Sequence, residues 1–149
     1  MKKGFTLIEI LVVIAILGII IGVFFPNLNE FRRRARDQRR KADIKAIVEA
    51  LEMYKQNQAP ETYPPDLLIT PGEIWEDVRA TYIKSFPRDP LFNAKSEEYY
   101  YRYVLIDTLE YYVGACLEDE TDPDGKAPPD PVFDSGHCDS NNWYYKSEP

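Results

Sequence analysis

Residues 4–25, "GFTLIEILVVIAILGIIIGVFF", decide how the rest of the chain is read. Glu9 is followed by sixteen residues without a charge, Ile10 through Phe25, nearly all large aliphatics. Phe5, Leu7 and Ile8 extend the apolar stretch to about twenty-one residues, or roughly 30 Å of helix, which matches a bilayer's hydrocarbon core. A carboxylate inside such a helix costs roughly 2.5–3.5 kcal/mol on insertion scales. Glu9 therefore needs a partner. A secretory signal peptide starts the same way, with basic residues before an apolar run, but it ends at a small-residue site. This run ends in bulky Phe24 and Phe25, so the segment is expected to stay in the protein.

Outward from this segment the charge is uneven. The chain of 149 residues carries a net −7. Residues 27–55 hold nine Lys or Arg against five acids, a local +4, and residues 56–149 hold seven against nineteen, a local −12. A basic helix thus joins an acidic domain, and the acidic balance argues against nucleic acid as a general partner. Orientation in a membrane is left open by these residues. Arg32, Arg33, Arg34, Arg36, Arg39, Arg40 and Lys41 outnumber Lys2 and Lys3, which by the positive-inside rule places the C-terminal domain in the cytoplasm. A disulfide between Cys116 and Cys138 requires the opposite side.

Residues 27–58 read as a helix continuing from the span. Leu28, Phe31, Ala35, Ala42, Ile47, Leu51 and Tyr54 form an apolar stripe, widened by Ile44 and Val48. The second half, "ADIKAIVEALEMYK" (42–55), has a clear apolar face, whereas "EFRRRARDQRRK" (30–41) is too polar to bury on its own. Pro60, Pro64 and Pro65 end the helix. "TPGE" (70–73) reads as a capping box with Thr70 as N-cap, which predicts a short helix to about Thr81. "EYYYRYVLI" (98–106) and "LEYYVGACLE" (109–118) predict a hairpin turning at Asp107-Thr108. Leu109, Tyr111, Val113, Ala115 and Leu117 then share the face that covers the helix, and Cys116 lies on the other. Trp143, Tyr144 and Tyr145 are candidates for a final edge strand.

The candidate chemistry is sparse. A bridge between Cys116 and Cys138 pins the acidic C-terminal loop to the outer face of the sheet, with two free cytoplasmic thiols as the alternative. "ETDPDG" (120–125) sets Glu120, Asp122 and Asp124 at alternate positions before Gly125, like the start of an EF-hand loop, and makes Asp122 and Asp124 candidate calcium ligands. Pro131 stands where the bidentate Glu of that loop belongs, so a solvated acidic turn is the competing reading. His137 is the only histidine, which leaves no zinc cluster and no base for a nucleophile. No catalytic residue is assigned and no enzyme is expected. The arginine run admits three readings: a solvated face, contact with anionic headgroups, or pairing with the acidic domain of another copy.

"KKGFTLIE" (2–9) resembles the processing motif of type IV prepilins and the related type II secretion pseudopilins. "ALEMYKQNQAPETYP" (50–64) and "YIKSFPRDP" (82–90) look like segments of the major pseudopilin, and the cysteine-bounded loop is more like a type IV pilin. The resemblance implies an α+β, type IV pilin-like fold: a leader of residues 1–4, a transmembrane or filament-core segment of residues 5–26, an amphipathic helix of residues 27–58, and an α+β domain of residues 59–149. It implies that a prepilin peptidase cuts between Gly4 and Phe5, that Phe5 is N-methylated, and that Glu9 pairs with the new amine of a neighbouring subunit. The globular domain would then lie outside the cytoplasm. An inner-membrane platform driven by an ATPase would assemble a homo-oligomeric filament, either a secretion pseudopilus or a pilus. The competing readings are a monomeric membrane-anchored binding domain and, from the basic stripe, a DNA-uptake pilus subunit.

Overall fold

A computed structural model describes residues 4–24, 28–92, 101–127, 133, 138, 140 and 142–148. The first three leader residues, Pro26, the start of the predicted strand at 98–100, and His137 lie outside these. The chain divides into two compact units, Met1–Arg33 and Arg34–Pro149.

The first unit holds helix α1, Leu7–Phe24, and the start of α2, Leu28–Gln56. Aliphatic residues surround α1 on all sides, and every described side chain from Gly4 to Gly22 is exposed. Such a helix presents no single apolar face to pack on a domain. Its 18 residues rise about 27 Å, less than the expected 5–26 segment. Among the described residues, no helix is long and apolar enough to cross a membrane.

In the second unit, α2 buries Asp37, Arg40, Lys41, Ile44, Ile47, Ala50 and Leu51. These fall at intervals of one, three and four residues, so they form one continuous face. The face changes chemistry halfway: ionic over its first turns, aliphatic over its last. The expected stripe holds from Ile44 onward. It fails before that, because Leu28, Phe31, Ala35 and Ala42 are exposed while three charged residues take the buried line.

The aliphatic half packs on a three-stranded antiparallel sheet ordered β3 (Arg102–Asp107), β4 (Glu110–Cys116), β5 (Trp143–Glu148). Tyr111, Val113, Ala115 and Leu117 present the predicted face and are buried with Ile44, Ile47 and Leu51. Fully burying each aliphatic side chain contributes about 1.5–3 kcal/mol. The β3–β4 turn lies at Thr108 and Leu109, one residue beyond the expected position. The central position of β4 explains its near-continuous burial: Phe133, Cys138 and Trp143 form a second cluster packed against Tyr112, Cys116 and Tyr145. Phe133 stacks on Trp143 at 4.8 Å.

The predicted helix to Thr81 is a hairpin instead, β1 (Trp75–Glu76) paired with β2 (Thr81–Ile83). Gly72 has φ 88°, and Glu73 N–H donates to the Thr70 carbonyl at 3.1 Å. Pro followed by a positive-φ Gly is the central pair of a type II turn, so "TPGE" reverses the chain where a helix start would propagate it. Trp75 and Tyr82 then close on Tyr54 at the end of α2, with ring centroids 5.4 and 5.2 Å away.

Candidate functional site

Two sites concentrate the polar chemistry, one in each unit. At the first, Gly4 and Phe5 are exposed ahead of α1, with Phe5 82% accessible. The Glu9 carboxylate Oε2 accepts the Thr6 N–H at 3.2 Å and the Thr6 hydroxyl at 3.1 Å, while Glu9 N–H donates to Thr6 Oγ1 at 3.3 Å. This is a reciprocal capping box, which satisfies two donors that a helix start leaves open. The acid also sits in the first turn, where the helix dipole favours it. Glu9 thus has a local partner within its own chain. Thr6 carries no charge, so charge complementarity does not mark it as a partner; the T-x-x-E spacing is the signal in the sequence.

The second site is an ionic seam between the first turns of α2 in this unit and the chain after β4. Arg40 is fully buried. Its Nε and Nη2 donate to the two carboxylate oxygens of Asp89 at 2.6 and 3.0 Å. Its Nη1 donates to Asp37 Oδ1 and Glu118 Oε1, both at 2.7 Å. Asp37 is buried as well, and its carboxylate accepts the backbone N–H of Glu118 and of Asp119. Arg36 forks onto Glu118 at 2.7 and 2.6 Å. Arg34 lies 3.4 Å from Asp119. Burial raises the Glu118 carboxyl, but hydrogen bonds from Arg36 and Arg40 outweigh it and hold the group below its ordinary range. The guanidinium of Arg40, disfavoured by burial, is held charged by Asp89, Asp37 and Glu118.

The seam adds to the three readings of the arginine run a pairing within the subunit itself, for part of that run. Arg34, Arg36 and Arg40 pair inside their own subunit, and Arg32, Arg33 and Arg39 are the exposed remainder. Charged residues judged too polar to bury are buried because the acids come with them. The signal in the sequence was Asp37, Arg40 and Lys41 standing on the same helical line as Ile44.

The candidate calcium ligands lie at the far end of the seam. Lys41 Nζ donates to Asp122 Oδ1 at 2.6 Å and to Asp124 Oδ2 at 2.8 Å. Asp122 Oδ1 also accepts the Asp124 N–H at 2.9 Å. Glu120, the third member of the alternating pattern, is exposed. Among the described residues, no group of three or more carboxylate, thiol or imidazole side chains is placed to hold a metal ion. Hard cations such as calcium require 6–8 oxygen ligands, and here an ammonium already bridges the two carboxylates. Asp122 and Asp124, so placed, do not fit the ion.

Gly125 closes that turn against Asn142, whose side chain occupies the space a Cβ would need. Asn142 Nδ2 in turn donates to the Asp119 carbonyl at 2.9 Å. Cys116 and Cys138 are joined in a disulfide, so the loop that carries the acids is closed covalently as well as ionically.

A family model described as "Prokaryotic N-terminal methylation motif" matches residues 1–25. Curated relatives named "Type II secretion system core protein G" match further. That of Escherichia coli (strain K12) is 33% identical over 133 residues, covering 84% of this chain and 84% of its own. That of Aeromonas hydrophila is 38% identical over 99 residues, 62% of this chain and 69% of its own. That of Pectobacterium carotovorum subsp. carotovorum is 36% identical over 96 residues, 60% of this chain and 62% of its own. No solved structure matches the chain. The chain belongs to the pseudopilin family that carries the name type II secretion system core protein G.

Proposed function

We propose that the protein is a structural subunit of a type II secretion pseudopilus, processed at Gly4–Phe5 and polymerised through its N-terminal helix. One observation carries the reading: the GFTLIE motif, inside the methylation-motif match at residues 1–25, opens a chain that matches a core protein G over 84% of its length. The relatives' names favour a pseudopilus over a surface pilus or a DNA-uptake filament. A structural role rather than catalysis follows from the same kinship.

In this reading residues 1–4 are a leader, and cleavage by a prepilin peptidase creates an amine on Phe5, which is then methylated. The cap occupies Oε2 of Glu9. A carboxylate offers about four acceptor positions, so the capped group can still take the amine of a neighbouring copy. Residues 5–26 anchor the chain in the inner membrane, the exposed aliphatic surface of α1 facing lipid before assembly and other copies afterwards. The globular domain stands outside the cytoplasm, where a disulfide persists. An ATPase-driven inner-membrane platform moves subunits from the membrane into the filament.

The test is the mature N-terminus. Mass spectrometry of the protein from cells with an active prepilin peptidase should find N-methylated Phe5 as the first residue; intact Met1 would refute the reading. Glu9→Ala should abolish or strongly reduce filament formation while the far-ultraviolet circular dichroism of the domain stays unchanged.

A further inference from the structure

We propose that Lys41 is the resident cation of Asp122 and Asp124, and that these two acids of the loop are held in place without a divalent metal. Three observations converge on it. The ammonium lies within hydrogen-bond distance of both Asp122 and Asp124, the two acids that the EF-like spacing nominates as ligands. Its side chain is 7% exposed, so it is built into the fold and is not a surface residue reaching across. Its position is set by α2, the same helical face that carries Arg40 and Ile44 into the domain.

The geometry does what a bound cation does in a loop of this kind. It draws two carboxylates together, cancels their repulsion and ties them to a rigid element. An ammonium offers three donors in a compact head; two are used here, and the ring of Tyr144 lies 5.8 Å away. A divalent ion at this position would meet Nζ, a positive charge with no lone pair to donate. Metal entry therefore requires displacing a buried lysine, at the cost of leaving its charge without a partner. The turn behind the acids is fixed independently of any ion, by the pairing of Lys126 with Trp143 through two backbone hydrogen bonds of 2.8 and 2.9 Å and by the fit of Gly125 on Asn142. The proposal does not rest on the filament reading, because it concerns the fold of one subunit.

The experiment uses the full chain in detergent, with calcium chloride or a chelator, followed by thermal unfolding and limited proteolysis of residues 117–142. A cation bound at a hundred times its dissociation constant would raise the midpoint by on the order of 10 °C. The wild-type midpoint and cleavage rate should be the same in calcium and in chelator; a midpoint that rises with calcium overturns the proposal. Lys41→Met should speed cleavage within the loop severalfold, and an unchanged cleavage rate also overturns it. If Lys41→Met fails to accumulate, Asp124→Asn, at an acid whose side chain is 62% exposed, replaces it with the same expected direction and the same criterion. Since the readouts are subunit stability and loop protection, failure to polymerise leaves the result intact.

Discussion

Arg40 shows how much a single side chain organises. Its rigid fork of donors makes four hydrogen bonds to three carboxylates, one from its own helix and two from distant chain. A buried charge cluster of this kind contributes little net stability compared with a well-packed apolar replacement, but losing one member strands the others. Arg40→Ala should therefore cost about 3–5 kcal/mol, because Asp37 and Asp89 remain buried without their counter-ion. Arg39→Ala, one residue away and exposed, should fall within about ±0.5 kcal/mol. Urea denaturation of the two variants side by side checks the contrast. Similar losses for both would mean that the seam is not a unit.

At the scale of elements, the aliphatic half of α2 and the central strand were legible, since Ile44, Ile47 and Leu51 repeat at helical spacing and Tyr111 to Leu117 alternate. The ionic half of α2 was not. Hydropathy marks burial only where burial is apolar, and Asp37, Arg40 and Lys41 are buried by pairing with residues 49 to 83 positions further along the chain. The β1–β2 hairpin was hidden for a different reason. Thr-x-x-Glu after an N-cap and Pro-Gly within a type II turn use overlapping residues, and the positive φ of Gly72 decides between them. At the first site the cleavage motif was legible by resemblance, whereas the neutral Thr6 carries no charge to mark it as the partner of Glu9. The disulfide between Cys116 and Cys138, 22 positions apart, closes the acidic loop and should contribute about 3 kcal/mol in the chain-entropy model. The double variant Cys116→Ser, Cys138→Ser is expected to lower the urea midpoint by that equivalent with α2 retained, read by circular dichroism.

For the whole molecule, the seam sets the pH range of stability. Hydrogen bonds from Lys41 hold the Asp124 carboxyl below its ordinary value of 3.8. Glu118, raised by burial, is nonetheless held below its ordinary value of 4.5 by Arg36 and Arg40. Both contributions are complete above those values and are lost as pH falls through the depressed ones, because the unfolded chain takes up protons first. Lys41 works in the other direction: burial lowers it, but Asp122 and Asp124 outweigh that and hold it above its ordinary 10.5. Its contribution is complete below 10.5 and is lost as pH rises through the raised value. Thermal midpoints should form a plateau from about pH 5 to 10 and decline on both sides. In Lys41→Met the alkaline decline should shrink, while the acid decline that depends on Glu118 remains.

The burial of Arg40 also divides the arginines of this helix by what the surrounding medium does to them. Dissolved ions screen charges in contact with water over about 8–10 Å at ordinary ionic strength and reach a desolvated cluster much less. The contacts of Arg40 with Asp37 and Asp89, at 0–4% side-chain exposure, should therefore hold at both low and high salt. Arg32, Arg33 and Arg39 have no such insulation. Among the described arginines of α2, these three and the half-exposed Arg34 are the ones whose contacts should weaken with added salt, whereas the Arg40 cluster should change little.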